Sequence, residues 1–146
     1  MKLSDLQEEW KKDSVIDDLN LGKESTRVPV LHSKYITFLS NAKLKLRKAE
    51  HDYYALRRLK YRYYRGELTQ EELNENSWVQ YQGNKPLKNE MDEFLNCDND
   101  LIDYEDKIEY FRTIVYTLEQ IIRSLNSRTW DIKSAIEWHK FTNGMV

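Results

Sequence analysis

The strongest structural signal in this chain is the sequence of residues 101–139, which reads LIDYEDKIEYFRTIVYTLEQIIRSLNSRTWDIKSAIEWH. Apolar residues recur there at alternating steps of four and three, the heptad pattern of a long helix that packs along its length against a neighbour. One heptad position holds Leu101, Ile108, Val115, Ile122, Thr129 and Ile136, and the other holds Tyr104, Phe111, Leu118, Leu125, Ile132 and His139. Ile114, Ile121 and Ala135 widen this stripe, so the helix is predicted to contact more than one neighbour.

A continuous helix over residues 101–139 would be about 58 Å long at about 1.5 Å per residue. This length exceeds what a single globule of 146 residues needs. The excess predicts self-association through the heptad stripe. The residues predicted to mediate it are Ile108, Phe111, Val115, Leu118, Ile122, Leu125 and Ile132.

The rest of the chain also favours helices. A capping-box pattern at Ser4–Gln7 opens an N-terminal helix over residues 1–21, and Gly22 and Pro29 mark residues 20–30 as a linker. A second heptad stripe predicts a helix over residues 34–65, which Gly66 ends. Residues 66–100 form an acidic connector with short helices, and residues 101–140 form the C-terminal helix. The predicted fold is all-α, with a helical hairpin or coiled-coil protomer in one domain over residues 1–146.

Composition excludes several classes of protein. The chain has 146 residues, 33% of them charged, with only four Gly and two Pro. No apolar run approaches the roughly 18 residues of a transmembrane helix, and no signal peptide is visible, so no membrane partner is expected. Cys97 is the single cysteine, which excludes an intramolecular disulfide and agrees with a reducing cytoplasm.

No motif predicts catalysis, a metal site or a cofactor. The sequence lacks a glycine-rich phosphate loop, a nucleophile motif and an HExxH pair, so the protein is not expected to be an enzyme. The three histidines are far apart. The carboxylates between Asp98 and Glu109 do not match a calcium loop, because Ile102 and Asp103 occupy positions that need an oxygen ligand and glycine.

Charge is strongly segregated although the net charge is only −2. Residues 43–65 hold nine basic and two acidic residues, whereas residues 66–110 hold three basic and thirteen acidic ones. On a helix, the basic window forms a stripe of cations and tyrosines on the side opposite the apolar seam. The members within about 60° of Arg58, at 100° per residue, are Lys43, Arg47, His51, Tyr54, Tyr61, Arg62 and Arg65.

Cations interleaved with aromatic rings are typical of single-stranded nucleic-acid binding, because phosphates release counterions and exposed bases stack on the rings. Three alternatives remain open on residue pattern alone. The stripe could be an ordinary solvated face of a structural coiled coil, or it could contact an acidic protein or a membrane surface. RNA in place of DNA would use the same chemistry.

Several motifs resemble the UvsY-type recombination mediators of T-even-like bacteriophages. The N-terminal part carries Leu3, Asp5-Leu6-Gln7-Glu8-Glu9, Lys11-Lys12-Asp13 and Ile16-Asp17, and Ser33-Lys34 follows. The family's basic motif is mirrored by Arg58-Leu59-Lys60 and Tyr63-Tyr64-Arg65-Gly66, with Glu90-Met91, Ser127-Arg128 and Ile132-Lys133 further on. The resemblance spans almost the whole chain and is weakest over residues 67–89.

The resemblance implies a non-enzymatic recombination mediator that forms a homo-oligomeric ring of six or seven subunits. Such a protein binds single-stranded DNA and loads a RecA-like phage recombinase onto strands covered by the phage single-strand binding protein, in the cytoplasm of the infected bacterium. The family's DNA-contacting pair falls on Arg58 and Lys60, and its assembly region falls on the C-terminal helix. The full predicted DNA-binding set is Arg57, Arg58, Lys60, Arg62, Arg65, Lys43, Arg47, Tyr54, Tyr61 and Tyr64.

Helical geometry conflicts with a flat site containing both members of the pair. Arg58 and Lys60 are about 200° apart on a regular helix, at 100° per residue, and Lys60 falls on the apolar seam. We therefore expect Lys60 to extend from the seam to the edge of a neighbouring subunit.

Overall fold

The computed structural model describes residues 1–144 and contains five helices in that part of the chain. In chain order they are α1 (Leu3–Asp13), α2 (Leu21–Tyr64), α3 (Gln70–Glu75), α4 (Met91–Asn96) and α5 (Asn99–Thr142). No strand occurs among the described residues, which confirms the predicted all-α class. None of these helices has the length and apolar content that crossing a membrane requires.

The residues form two compact units. The first contains residues 1–44 and 111–144, and the second contains residues 45–110. The helices α2 and α5 contribute to both units. The organisation of residues 1–146 as one domain stays a prediction, and residues 145 and 146 lie outside the described part.

The predicted linker at residues 20–30 was wrong, because α2 begins at Leu21 and includes Pro29. Pro29 lacks the N–H that a helix needs, but it is exposed to solvent. Leu31 and Tyr35 bury their side chains on one face of the same stretch. This burial, about 1.5–3 kcal/mol for each large side chain, offsets the single missing hydrogen bond.

The first helix also ends earlier than the predicted residue 21. Helix α1 ends at Asp13, and Arg128 donates to the carbonyl oxygens of Asp13 (2.8 Å) and Val15 (3.1 Å). A buried guanidinium thus satisfies backbone acceptors that a continuing helix would have paired internally.

The capping box predicted at Ser4–Gln7 was wrong, because α1 begins at Leu3 and Lys2 is its N-cap residue. The helix ends at Gly66 and Thr69 agree with local sequence signals. Gly66 ends α2 with a φ of 69°, and the N–H of Glu67 donates to the carbonyl of Arg62 at 2.9 Å, as in a Schellman cap. Thr69 caps α3 by accepting the N–H of Glu72 at 3.2 Å. The C-terminal helix is continuous, as the heptad pattern predicted.

The core of the first unit contains a buried polar network centred on Asp13. Its carboxylate accepts hydrogen bonds from Tyr35 Oη (2.8 Å), Lys34 Nζ (2.6 Å) and Arg27 Nη2 (3.0 Å). Arg128 also pairs with Glu24 at 3.0 Å. Burial by itself would raise the pKa of Asp13, but Lys34 and Tyr35 together with Arg27 hold that pKa below its usual range. Lys34 and Arg128, two residues that carry the family resemblance, therefore have structural roles in this polar network.

The second unit is closed by apolar residues of α4 and α5 against α2. Met91, Leu95 and Leu101 are buried together, and aromatic side chains of α2 pack against them. Tyr64 lies edge-on to Tyr81 and Phe94, with ring centroids 5.1 and 5.7 Å away. This packing places the acidic segment beside the C-terminal turns of α2.

Candidate nucleic-acid interface

The middle of α2 presents an exposed cationic and aromatic surface, which we call the open face and define as Arg47, Tyr54 and Arg58. Arg58 is exposed and has no ion-pair partner among residues 1–144. The Arg47 side chain is 68% exposed and pairs at 3.4 Å with Glu50 on the same helix. Tyr54 is 63% exposed. These side chains are free to meet an incoming ligand.

The C-terminal turns of α2 and the residue that follows them carry four further cations, and each of these is ion-paired. We call Arg57, Lys60, Arg62 and Arg65 the bracketed end, because carboxylates from residues 67–100 pair with each of them. Arg57 meets Asp92 at 3.4 Å, and Arg65 meets Glu67 at 2.8 Å. The structure therefore places these four predicted DNA-binding cations in ion pairs within the chain itself.

Arg62 makes a bidentate pair with Glu72. Its two terminal nitrogens donate to the two carboxylate oxygens at 2.8 and 3.0 Å. The hydrogen bond from Arg62 lowers the pKa of Glu72, with further help from the Thr69 backbone, so the carboxylate stays ionised at neutral pH. This planar fork is the arrangement that an arginine would otherwise offer to a phosphate.

Lys60 is the most enclosed of the four. Its side chain is 8% exposed, and its ammonium lies 2.7 Å from Asp100 and 3.2 Å from Asp98. The ring of Trp78 covers it, with its centroid 4.3 Å from Nζ. Within the chain, Lys60 pairs with Asp98 and Asp100, and its expected extension to the edge of a neighbouring subunit stays a prediction.

Asp98 connects this ion pair to the start of α5. Its carboxylate accepts hydrogen bonds from Tyr64 Oη at 2.6 Å and from the Leu101 N–H at 3.1 Å, so it caps the helix. Burial alone would raise the pKa of Asp98, but these bonds and Lys60 hold the pKa below its ordinary value.

The other predicted ring residues are less accessible than Tyr54. Tyr61 is half-buried, with the Arg65 guanidinium 5.7 Å from its ring centroid. Tyr64 is half-buried, and burial together with its bond to Asp98 raises the pKa of its hydroxyl. Lys43, which belongs to the first unit, is exposed and lies 4.0 Å from Glu119.

Sequence reasoning omitted two kinds of residue. Lys45 and Lys48 are exposed cations of α2 that the list of site residues did not include. Trp78, Asp98 and Asp100 were not recognised as partners of the basic helix. The available signal was the juxtaposition of a strongly basic window with an acidic one, which favours pairing between them.

The residues of α5 that were predicted to mediate self-association are mainly buried within the single chain. Five are buried, and Phe111 and Ile122 are half-buried; the buried ones are Ile108, Val115, Leu118, Leu125 and Ile132. The same helix exposes other large apolar side chains along a different face. They are Tyr116, Trp130, Trp138 and Phe141, at 62–74% exposure.

The geometry contains no evidence of a metal centre within residues 1–144, since no group of three or more His, Cys, Asp or Glu side chains is placed to hold an ion. The site is thus a surface of cations and rings. Its chemistry suits binding of an extended polyanion with exposed bases.

Three comparisons identify relatives of this chain. Residues 9–145 match the family model described as "Recombination, repair and ssDNA binding protein UvsY". The recombination protein uvsY of Enterobacteria phage T4 is 27% identical over 144 residues, covering 99% of each chain. Two crystal structures of the bacteriophage T4 recombination mediator protein UvsY, in lattice types II and IV, share 24% identity with TM-scores of 0.83 and 0.81. They cover 98% and 97% of this chain, and 98% and 99% of those chains, which shows a shared fold.

Proposed function

Because this chain belongs to the UvsY family of recombination, repair and single-stranded-DNA-binding proteins, we propose that it is a recombination mediator whose helix α2 binds single-stranded DNA. The observation that carries this proposal is the open face, where two arginines flank an exposed tyrosine ring. Arg47, Tyr54 and Arg58 are spaced by seven and four residues, which keeps them on one side of a helix. Their cations meet phosphates while the ring stacks on a base.

The mediator role requires no catalytic chemistry of this chain. The DNA would pass from the phage single-strand binding protein to a RecA-like recombinase, and this protein would hold and bend the strand between the two. Kinking the strand weakens the grip of the resident binding protein and leaves a segment on which the recombinase nucleates. The family relationship supports these partners and a location in the cytoplasm of the infected host.

Assembly into a homo-oligomeric ring, of six or seven subunits by family resemblance, would array many open faces. The exposed aromatic side chains of α5, from Tyr116 to Phe141, support a contact with a second copy, because large apolar side chains in water favour association. A modest site repeated around a ring binds one strand with much higher avidity than a single copy.

The experiment that tests this function combines sedimentation of the free protein with fluorescence titration of a mixed-sequence single-stranded oligonucleotide at low and high salt. We expect a discrete oligomer with binding that weakens steeply as salt rises and changes little with sequence. Competition with a matched RNA strand distinguishes DNA from RNA binding. A monomer without DNA affinity, or binding insensitive to salt, would contradict the proposal.

A structural scaffold is the second candidate function. It is favoured by the bracketed end, since those cations already pair with carboxylates of the same chain and need no external partner. Under this alternative, reversing the charge of Arg58 leaves the oligomer intact and has little effect on the function of the protein. Loss of DNA binding with an unchanged oligomer would exclude the scaffold.

A further inference from the structure

The ammonium of Lys60 is enclosed by groups of its own chain. It forms ion pairs with Asp98 and Asp100 at 3.2 and 2.7 Å, and its side chain is only 8% exposed. The ring centroid of Trp78 lies 4.3 Å from Nζ, and that of Tyr63 lies 5.5 Å away. Lys60 therefore has little surface left for a phosphate.

The groups that Lys60 holds are themselves tied to the start of α5. Asp98 is buried, caps the helix through the Leu101 N–H and accepts the Tyr64 hydroxyl. Without Lys60, the Asp98 carboxylate would remain in a largely dry site with no cation beside it, which is a costly arrangement. Asp100, by contrast, is half-exposed and would add its charge to the surface next to α2.

We propose that Lys60 is a positioning residue that closes the bracketed end, and that Arg58 alone of the basic pair contacts the DNA. This inference rests on the proposed function and deepens it. The strand then follows the open face without contacting the cations of the bracketed end. Lys60 acts through Asp98 and Asp100, because its charge offsets one of two carboxylate charges that would otherwise both repel the phosphates bound at Arg58.

Lysine acetylation followed by mass spectrometry tests this role in the unaltered protein. We expect Lys60 to react slowly both in the free protein and with an oligothymidine strand bound, whereas the exposed Lys45 and Lys48 react readily in the free protein. Rapid acetylation of Lys60 that DNA suppresses would overturn the proposal. The free-protein result is independent of DNA affinity, so failure of the proposed function is recognised separately, as absence of binding.

Variants two residues apart provide the second test. Arg58→Met should weaken binding and reduce the slope of log affinity against log salt by about 0.7, the value for one phosphate on a single strand. Lys60→Met should weaken binding several-fold with a smaller reduction of the slope, because repulsion by the carboxylates is screened by salt but no phosphate contact is lost. An equal reduction of the slope by both variants would contradict the positioning role.

Rescue distinguishes charge cancellation from a direct contact. Lys60→Arg keeps a cation between the two carboxylates and should retain DNA affinity. Combining Lys60→Met with Asp98→Asn and Asp100→Asn should restore at least the affinity of the unaltered protein, because both carboxylate charges are removed and asparagine keeps the cap. Affinity that stays low in this triple variant, with the fold intact by circular dichroism, would overturn the proposal.

Discussion

The open face and the bracketed end overlap in sequence near the C-terminal end of α2, yet their cations differ, since those of the open face stay exposed and those of the bracketed end pair with carboxylates of residues 67–100. Arg58 faces solvent without an ion-pair partner in the described residues, whereas Arg57, its neighbour in sequence, reaches Asp92 and the Tyr53 hydroxyl. The difference shows that the density of cations in a window does not define a binding site. A cation is available to DNA where it stays exposed, as Arg47 and Arg58 do, and is less available where carboxylates of residues 67–100 pair with it.

Removing the carboxylate at the centre of the bracketed end should have the largest effect. Asp98→Ala removes a helix cap and leaves the buried Lys60 with Asp100 alone, so we expect a loss of about 3 kcal/mol in the free energy of unfolding. Urea denaturation followed by circular dichroism measures it. Asp92→Ala is the matched control, because that side chain is 87% exposed and its pair with Arg57 should contribute less than about 1 kcal/mol. Equal losses in both variants would mean that the bracketed end has no buried centre.

The pH dependence of stability sharpens this result. The pKa of Asp98 is lower in the folded chain than in the unfolded one. Its stabilising contribution is therefore complete above the ordinary carboxyl pKa of about 3.9 and is lost as the pH falls through the lower folded value. We expect Asp98→Asn to reduce the loss of stability on acidification, as measured by thermal unfolding from pH 7 to pH 3. A loss identical to that of the unaltered protein would contradict the role of this carboxylate.

Reversing charge on the open face should affect DNA binding and leave stability unchanged. Arg47→Glu with Arg58→Glu removes two phosphate contacts and adds repulsion, so we expect about a 100-fold loss of affinity at low salt. The melting temperature should stay within about 2 °C, because neither cation is buried. Fluorescence titration and thermal unfolding measure the two quantities.

A control variant with the same change of charge separates a local contact from a net-charge effect. Lys11→Glu with Lys12→Glu alters two exposed residues of α1. This variant should bind DNA within a few-fold of the unaltered protein. If it lost as much affinity as the open-face variant, the open face would have no special role.

The sequence predicted the helices that carry the open face and the bracketed end, but not which cations belong to each. The heptads identified α5 and Gly66 identified the end of α2, because these signals are local. The start of α2 escaped prediction since burial of Leu31 and Tyr35 overrides the local preference of Pro29. The sequence also did not predict which cations are paired, because tertiary contacts decide this: Lys60 meets Asp98 and Trp78 only after the chain has folded.

The exposed ring of the open face should contribute less than its arginines together. Tyr54→Ala removes a stacking surface worth about 1–3 kcal/mol per base, so we expect roughly a tenfold loss of affinity with little change in the slope against salt. Tyr54→Phe keeps the ring and should bind as the unaltered protein does. A loss in the phenylalanine variant would show that the hydroxyl, and not stacking, is the contact.

The smallest effect is expected from releasing one cation of the bracketed end, Arg62, so that it becomes available to DNA like those of the open face. Glu72→Gln removes the charge that holds Arg62 in its bidentate pair but keeps a side chain that can complete the cap at Thr69. The released guanidinium should raise DNA affinity about two- to threefold and steepen the dependence on salt by less than the slope of one phosphate contact. Glu71→Gln makes the same change of charge on an exposed neighbour in α3. A gain confined to the Glu72 variant would show that the pairing carboxylate sets where the open face ends. An equal gain in both variants would show that the bracketed cations are held away from DNA by geometry, and that only the total charge of the acidic segment matters.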